Sequence, residues 1–94
     1  MVVGTCLIRL RLNGTRSLKD KRRVVQSLLT RLGREFGLAC AEVGENDVWS
    51  RAVLGLACVS NEGGHAREVL RRAVLWLEGN IDGEVLSSDI ELIA

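Results

Sequence analysis

The sequence predicts an α+β fold, a ferredoxin-like βαββαβ sandwich in which a four-stranded antiparallel sheet carries two helices on one face. Three observations predict it: four segments have the apolar pattern of strands, two have apolar residues at helical spacing, and their order is β-α-β-β-α-β. Right-handed crossovers then place the first and third strands side by side at the centre of the sheet. With 94 residues, the chain forms a single domain over residues 1–94.

The first half of the chain contains one strand and one helix. Residues Val2 to Leu12 alternate between apolar and other residues, which is typical of a strand with one buried face. Ser17 is a good N-cap, Asp20 follows three residues later as in a capping box, and Gly37 is a plausible stop. The helix between them carries one apolar stripe, formed by Leu18, Val25, Leu28, Leu29, Leu32 and Phe36.

The second half supplies the other elements. Leu38 to Val43 has the pattern of a short strand, and Arg51 to Ser60 is apolar on both faces, as a central strand should be. Asn61 is the predicted cap of a second helix that continues to about Glu78. The last strand covers Glu84 to Ile93, and three of its residues are expected to point inward: Leu86, Ile90 and Leu92.

Composition excludes several classes of protein. The formal net charge of +1 is too small to draw the whole molecule to nucleic acid or to a membrane. Cys6, Cys40 and Cys58 are widely spaced, which fits neither a disulfide framework nor a zinc site and predicts a reducing, cytoplasmic location. Neither a signal peptide nor an apolar run of bilayer length is present. No metal, cofactor or membrane partner is therefore expected.

Basic residues cluster at the start of the first helix, where five of the eight residues from Arg16 to Arg23 are Lys or Arg. The helix dipole disfavours cations there, so the cluster points to a bound anion, and RNA phosphates are the leading candidate. The alternative is a solvated basic face, offset by Asp20 and Glu35. The predicted anion-binding or RNA-binding set is Arg16, Ser17, Lys19, Lys21, Arg22 and Arg23.

The sheet face opposite the helices is open. No aromatic residue falls on it, which argues against base stacking of the kind used by RNA-recognition domains of this topology. Leu7, Val53 and Val59 instead favour a homodimer or a protein partner at this face. Its charged residues are expected to pair across strands, Arg9 and Arg11 with Asp89 and Glu91.

Four further residues are candidates for a pocket or a partner contact: Trp49, Arg51, Asn61 and His65. Trp49 either packs on the sheet end or anchors a partner. His65 is the only histidine and has no second metal ligand or nucleophile at a fitting spacing. Because no catalytic motif is present, an enzyme or ligand-binding protein built on these residues ranks below a binding module.

Three stretches resemble signatures of the YlxP-like family, small bacterial proteins of unknown function: Arg16-Ser-Leu-Lys-Asp-Lys-Arg-Arg23, Ala41-Glu-Val-Gly-Glu-Asn-Asp-Val-Trp-Ser-Arg-Ala52 and Val59-Ser-Asn-Glu-Gly-Gly-His65. The resemblance implies a ferredoxin-like fold but no catalytic or binding residue. Members are often encoded beside initiation factor two and ribosome-binding factor A, which implies a link to RNA or ribosome-assembly factors. The Gly63-Gly64 pair departs from the more polar pattern expected there and weakens any role for His65.

Overall fold

The computed structural model describes residues 1–93 and confirms the predicted fold. Its elements are β1 (Val2–Leu12), α1 (Leu18–Phe36), β2 (Ala39–Gly44), β3 (Arg51–Ser60), α2 (Gly63–Asn80) and β4 (Gly83–Ile93). The sheet has the order β2-β3-β1-β4, and every neighbouring pair is antiparallel. Neither helix is long and apolar enough to cross a bilayer.

The core lies between the helices and one face of the sheet. Alternate residues of β1, such as Ile8 and Leu10, are fully buried there, and Leu54 of β3 pairs with Ile8 in the sheet register. Each such side chain contributes about 1.5–3 kcal/mol through the apolar surface that it removes from water. The helices complete the layer with aliphatic residues, chiefly Val25, Leu28, Leu32, Leu70, Ala73 and Leu77.

The two helices begin differently. Ser17 Oγ accepts a hydrogen bond from the Asp20 amide over 3.1 Å, so Ser17 caps α1 as predicted by its type and position. The N-cap of α2 is Glu62, whose side chain makes no capping hydrogen bond. The prediction that Asn61 caps α2 is wrong, because the helix begins one residue later than that cap requires.

A bulge in β4 changes which residues face the core. Arg9 pairs with Ser87 but Leu10 pairs with Val85, so one residue is inserted between the two partners. Leu86 is that residue and is 48% exposed. The prediction that Leu86 points inward is therefore wrong, since the period of two is interrupted at this point.

The same register changes the expected ion pairs on the open face. Arg11 lies opposite Glu84 and its guanidinium is 3.1 Å from the Glu84 carboxylate. Asp89 lies opposite Leu7 and Glu91 lies opposite Thr5, so the predicted pairing of the two arginines with these carboxylates is wrong. The two acids instead stand beside the apolar part of the face.

Candidate functional site

Lys21, from the basic cluster at the start of α1, is fully buried. Its ammonium donates hydrogen bonds to three main-chain carbonyls, those of Glu45 at 2.7 Å, Asn46 at 3.2 Å and Arg51 at 3.1 Å. These three bonds use all three N–H groups of a lysine. Lys21 is thus a structural residue, and the predicted anion-binding set loses it because its charge does not reach solvent.

Glu42 balances the buried charge of Lys21. Glu42 Oε2 lies 2.9 Å from the Lys21 ammonium nitrogen and forms an ion pair with it. The two groups are not aligned for a hydrogen bond, and this oxygen has no hydrogen-bond partner within residues 1–93. Two charges taken out of water lose several kcal/mol of hydration each, which their attraction must offset. Here the pair connects α1 to β2, and the three carbonyl hydrogen bonds of Lys21 help to offset that loss.

The segment that Lys21 fixes is the turn between β2 and β3, residues 45–50, called the pinned loop below. Thr15 is buried just before α1, and its hydroxyl donates to the Trp49 carbonyl over 2.7 Å. The Leu12 amide donates to the Ser50 carbonyl over 2.8 Å. The pinned loop is therefore held against the start of α1, which joins two stretches of sequence that were predicted separately.

The remaining cations of the cluster face solvent and form what we call the basic surface: Arg16, Lys19, Arg22 and Arg23. The nearby carboxylate of Asp20 accepts a hydrogen bond from the Arg16 amide, so it is partly occupied by the backbone. Arg22 and Arg23 also line a groove of about 1000 Å³ between α1 and β2. Polar side chains continue along that groove, namely Gln26, Ser27 and Thr30.

The pocket predicted from Trp49, Arg51, Asn61 and His65 does not form. β3 begins at Arg51, two residues after Trp49, and ends just before Asn61. Ten residues of extended strand span about 33 Å, which separates the two pairs by most of the length of the sheet. His65 is exposed in the first turn of α2, and its side chain makes no hydrogen bond or ion pair within residues 1–93.

Sequence comparison shows which family this chain belongs to. The family model described as "Protein of unknown function (DUF503)" matches residues 3–90. The chain belongs to this family. It is also similar to the uncharacterized protein YlxP of Bacillus subtilis (strain 168), with 34% identity over 62 residues that cover 66% of this chain and 67% of the relative. The YlxP-like resemblance is confirmed, and neither description names an activity.

The open face of the sheet is apolar at its centre. Small residues of β2 and β3 lie beside Leu7 of β1 around a shallow concavity of about 770 Å³, which Asp89 and Glu91 border. Among the predicted contact residues, Val59 is 68% exposed and Leu7 is 37% exposed, but Val53 is only 4% exposed. Val53 is therefore covered by its neighbours, and Leu7 and Val59 are the two of these residues that a partner could contact.

Burial makes two of the three cysteines, Cys6 and Cys40, less reactive. All three are free thiols, and burial raises the pKa of both Cys6 and Cys40 above the ordinary value of 9.0. A raised pKa keeps these thiols protonated at neutral pH, and the protonated form is a poor nucleophile and metal ligand. Within residues 1–93, no group of three or more His, Cys, Asp or Glu side chains is placed to hold a metal ion.

The sequence did not predict the structural roles of two residues, Thr15 in the turn before α1 and Glu42 in β2. A signal for the pair of Lys21 and Glu42 does exist in the sequence. Lys21 lies four residues before Val25 and so extends the apolar stripe of α1, while Glu42 interrupts an otherwise apolar strand. A lysine in an apolar stripe and an acid in an apolar strand together indicate a buried ion pair. Thr15 lacks any comparable signal because a threonine in a turn is common.

Proposed function

We propose that this protein is a non-catalytic binding module that contacts RNA phosphates through the basic surface. The observation that carries the proposal is that these four cations are exposed and unneutralised. Within residues 1–93, the ion pairs are those of Arg11, Lys21 and Arg51, so none of the four cations of the basic surface lies within 4.0 Å of a carboxylate. Unpaired Lys and Arg on one helix are typical of a surface that binds a polyanion.

The groove beside the basic surface supports the same proposal. Arg, Ser, Thr and Gln side chains are the groups that most often bind phosphate and sugar oxygens in protein–nucleic acid complexes. All four types line this groove, and its acid Glu42 is engaged by Lys21. The gene context implied by the family resemblance makes ribosomal RNA, or an RNA-bearing assembly factor, the first ligand to test.

A titration with matched variants tests the proposal. Fluorescence anisotropy of a labelled ribosomal RNA fragment is recorded at several salt concentrations for the wild type, for Arg22→Ala/Arg23→Ala and for Arg71→Ala/Arg72→Ala. The control pair is exposed on α2 and removes the same charge. We expect the α1 variant to bind at least about tenfold more weakly and to have a salt slope lower by about 2, since each arginine neutralises one phosphate. Equal binding by both variants would overturn the proposal.

The open face supports a second candidate function, self-association as a homodimer. Its charges are partly segregated: Arg9 makes one end of β1 basic, because Glu84 neutralises only Arg11, and Asp89 and Glu91 lie beside the other half of the strand. A two-fold contact that reverses the strand direction brings the basic end of one copy against the acidic end of the other. The apolar centre of the face would then be buried between the two sheets.

Sedimentation analysis at tens of micromolar protein tests whether the protein forms this homodimer. We expect a dimer for the wild type and a monomer for Leu7→Asp, because an aspartate in a dry sheet interface loses its hydration. Leu75→Asp is the matched control, since Leu75 is 63% exposed on α2 and lies away from the open face. A wild type that sediments as a monomer throughout contradicts the candidate.

A further inference from the structure

We infer that Trp49 is a stacking platform for an unpaired base of the RNA strand whose phosphates contact the basic surface. The inference rests on the proposed function and names its ligand more narrowly, as single-stranded RNA. The chain has only three aromatic residues. Phe36 and Trp76 pack edge to face, with ring centroids 6.3 Å apart, whereas Trp49 is 49% exposed.

The pinned loop holds Trp49 in place before any ligand binds. The Trp49 carbonyl accepts from Thr15, and the carbonyl of the next residue, Ser50, accepts from the Leu12 amide. Lys21 binds the carbonyls of Glu45 and Asn46 on the other side of the same loop. A side chain whose backbone is already ordered loses less conformational entropy on binding, which favours recognition.

The structure uses a buried lysine to build this loop. A short solvated turn needs no such device, because water can satisfy its carbonyls. Burial of the Lys21 ammonium against three carbonyls and the Glu42 carboxylate is unfavourable unless the geometry is well matched. The exposed tryptophan on the loop is the feature that a fixed loop geometry would serve.

The position of Trp49 relative to the basic surface selects the ligand. Thr15 binds the Trp49 carbonyl and is followed directly by Arg16, the first residue of the basic surface. An aromatic ring next to unneutralised cations is the combination that binds single strands, where bases stack on the ring and phosphates pair with the cations. Duplex RNA has no unstacked base to offer and would contact only the cations.

The test uses Trp49 as its own probe. The Trp76→Phe variant leaves Trp49 as the sole tryptophan, since the chain has two. Its emission is followed during titration with an oligouridylate, whose bases are unstacked when free, and with a blunt RNA duplex. Affinities of both RNAs are then measured by anisotropy for Trp49→Ala, Trp49→Phe and Arg22→Ala/Arg23→Ala, with thermal melting to confirm that each variant folds.

We expect the oligouridylate to quench Trp49 emission and Trp49→Ala to weaken its binding about tenfold or more, while Trp49→Phe retains most of the affinity. Duplex binding should change by less than about twofold in Trp49→Ala and should fall in the arginine variant. If both RNAs bind through the arginines but Trp49 is neither quenched nor needed, the stacking inference is overturned and the proposed function stands. A Trp49 that anchors a protein instead would give that same result. If neither RNA binds, the proposed function fails first.

Discussion

The starts of the two helices are stabilised by different kinds of interaction. At α1, polar groups dominate: Ser17 caps the helix, and Lys21 holds three loop carbonyls together with the Glu42 carboxylate. At α2, the N-cap residue Glu62 makes no side-chain cap, and close packing takes over. Ala66 is fully buried, and a methyl group added to Gly4 of β1 would lie 3.2 Å from its Cβ.

This difference shows that polar contacts fix a surface loop at the start of α1, whereas close packing acts at the start of α2. Packing at α2 stabilises the core and leaves the helix start itself weakly specified. The polar contacts at α1 order the pinned loop and its half-exposed Trp49. We therefore expect mutations at the start of α1 to affect loop geometry and binding as well as stability, and mutations at α2 to affect stability alone.

The largest expected effect follows removal of the Lys21 ammonium. Lys21→Met leaves three carbonyls unpaired and the Glu42 carboxylate buried without its partner, and we expect a loss of about 3–5 kcal/mol in the free energy of unfolding. Urea denaturation measures it. Lys19→Met, on the exposed side of α1, is the control and should change stability by less than about 0.5 kcal/mol. Similar losses in both variants would show that Lys21 is not special.

A smaller loss is expected when the approach of α2 to the sheet is obstructed. In Gly4→Ala the new methyl group would meet Leu70, Ala66 and Cys58 at 3.0, 3.2 and 3.3 Å. Such overpacking typically reduces stability by about 1–3 kcal/mol. Gly79→Ala is a matched control, because nothing lies within 4 Å of the added group. The packing account of α2 would be wrong if Gly4→Ala melted at or above the wild-type temperature.

Removing each N-cap side chain compares the two helix starts directly. Ser17→Ala removes the hydrogen bond to the Asp20 amide and should reduce stability by about 1 kcal/mol. Glu62→Ala removes no capping bond, only a charge near the helix start, and should reduce it by roughly 0.3 kcal/mol. Urea unfolding in moderate salt resolves the two, and an equal loss at both positions would remove the distinction between the helix starts.

The smallest expected effect is a gain at the weakly specified end. Gly64 lies in the first turn of α2, and the nearest atom to an added methyl group is Glu62 Oε1 at 3.4 Å, the end of a flexible side chain. Gly64→Ala should therefore stabilise the protein by about 0.5 kcal/mol, because alanine restricts the unfolded chain. The melting temperature should rise by about 2–4 °C. A lower melting temperature would mean that this turn requires glycine.

Much of this organisation can be predicted from the sequence, and the exceptions are informative. The order of elements was predictable because alternation and helical spacing are local patterns. Leu86 was assigned to the wrong face because a bulge inserts one residue, which no period of two anticipates. Lys21 falls in the predicted anion-binding set because lysine is usually a surface residue. Its spacing from Val25 nevertheless places it in the buried stripe of α1.

The sequence by itself determined the βαββαβ order, the aliphatic core and the concentration of basic residues at the start of α1. These depend on neighbours a few residues apart, where helix and strand periods act directly. Only the tertiary structure decided which basic residues stay exposed and that Trp49 lies against Thr15, the residue before Arg16. Those outcomes depend on contacts such as the one between Thr15 and Trp49, which are 34 residues apart in the chain. Such contacts form only when strand register and helix packing bring the two segments together.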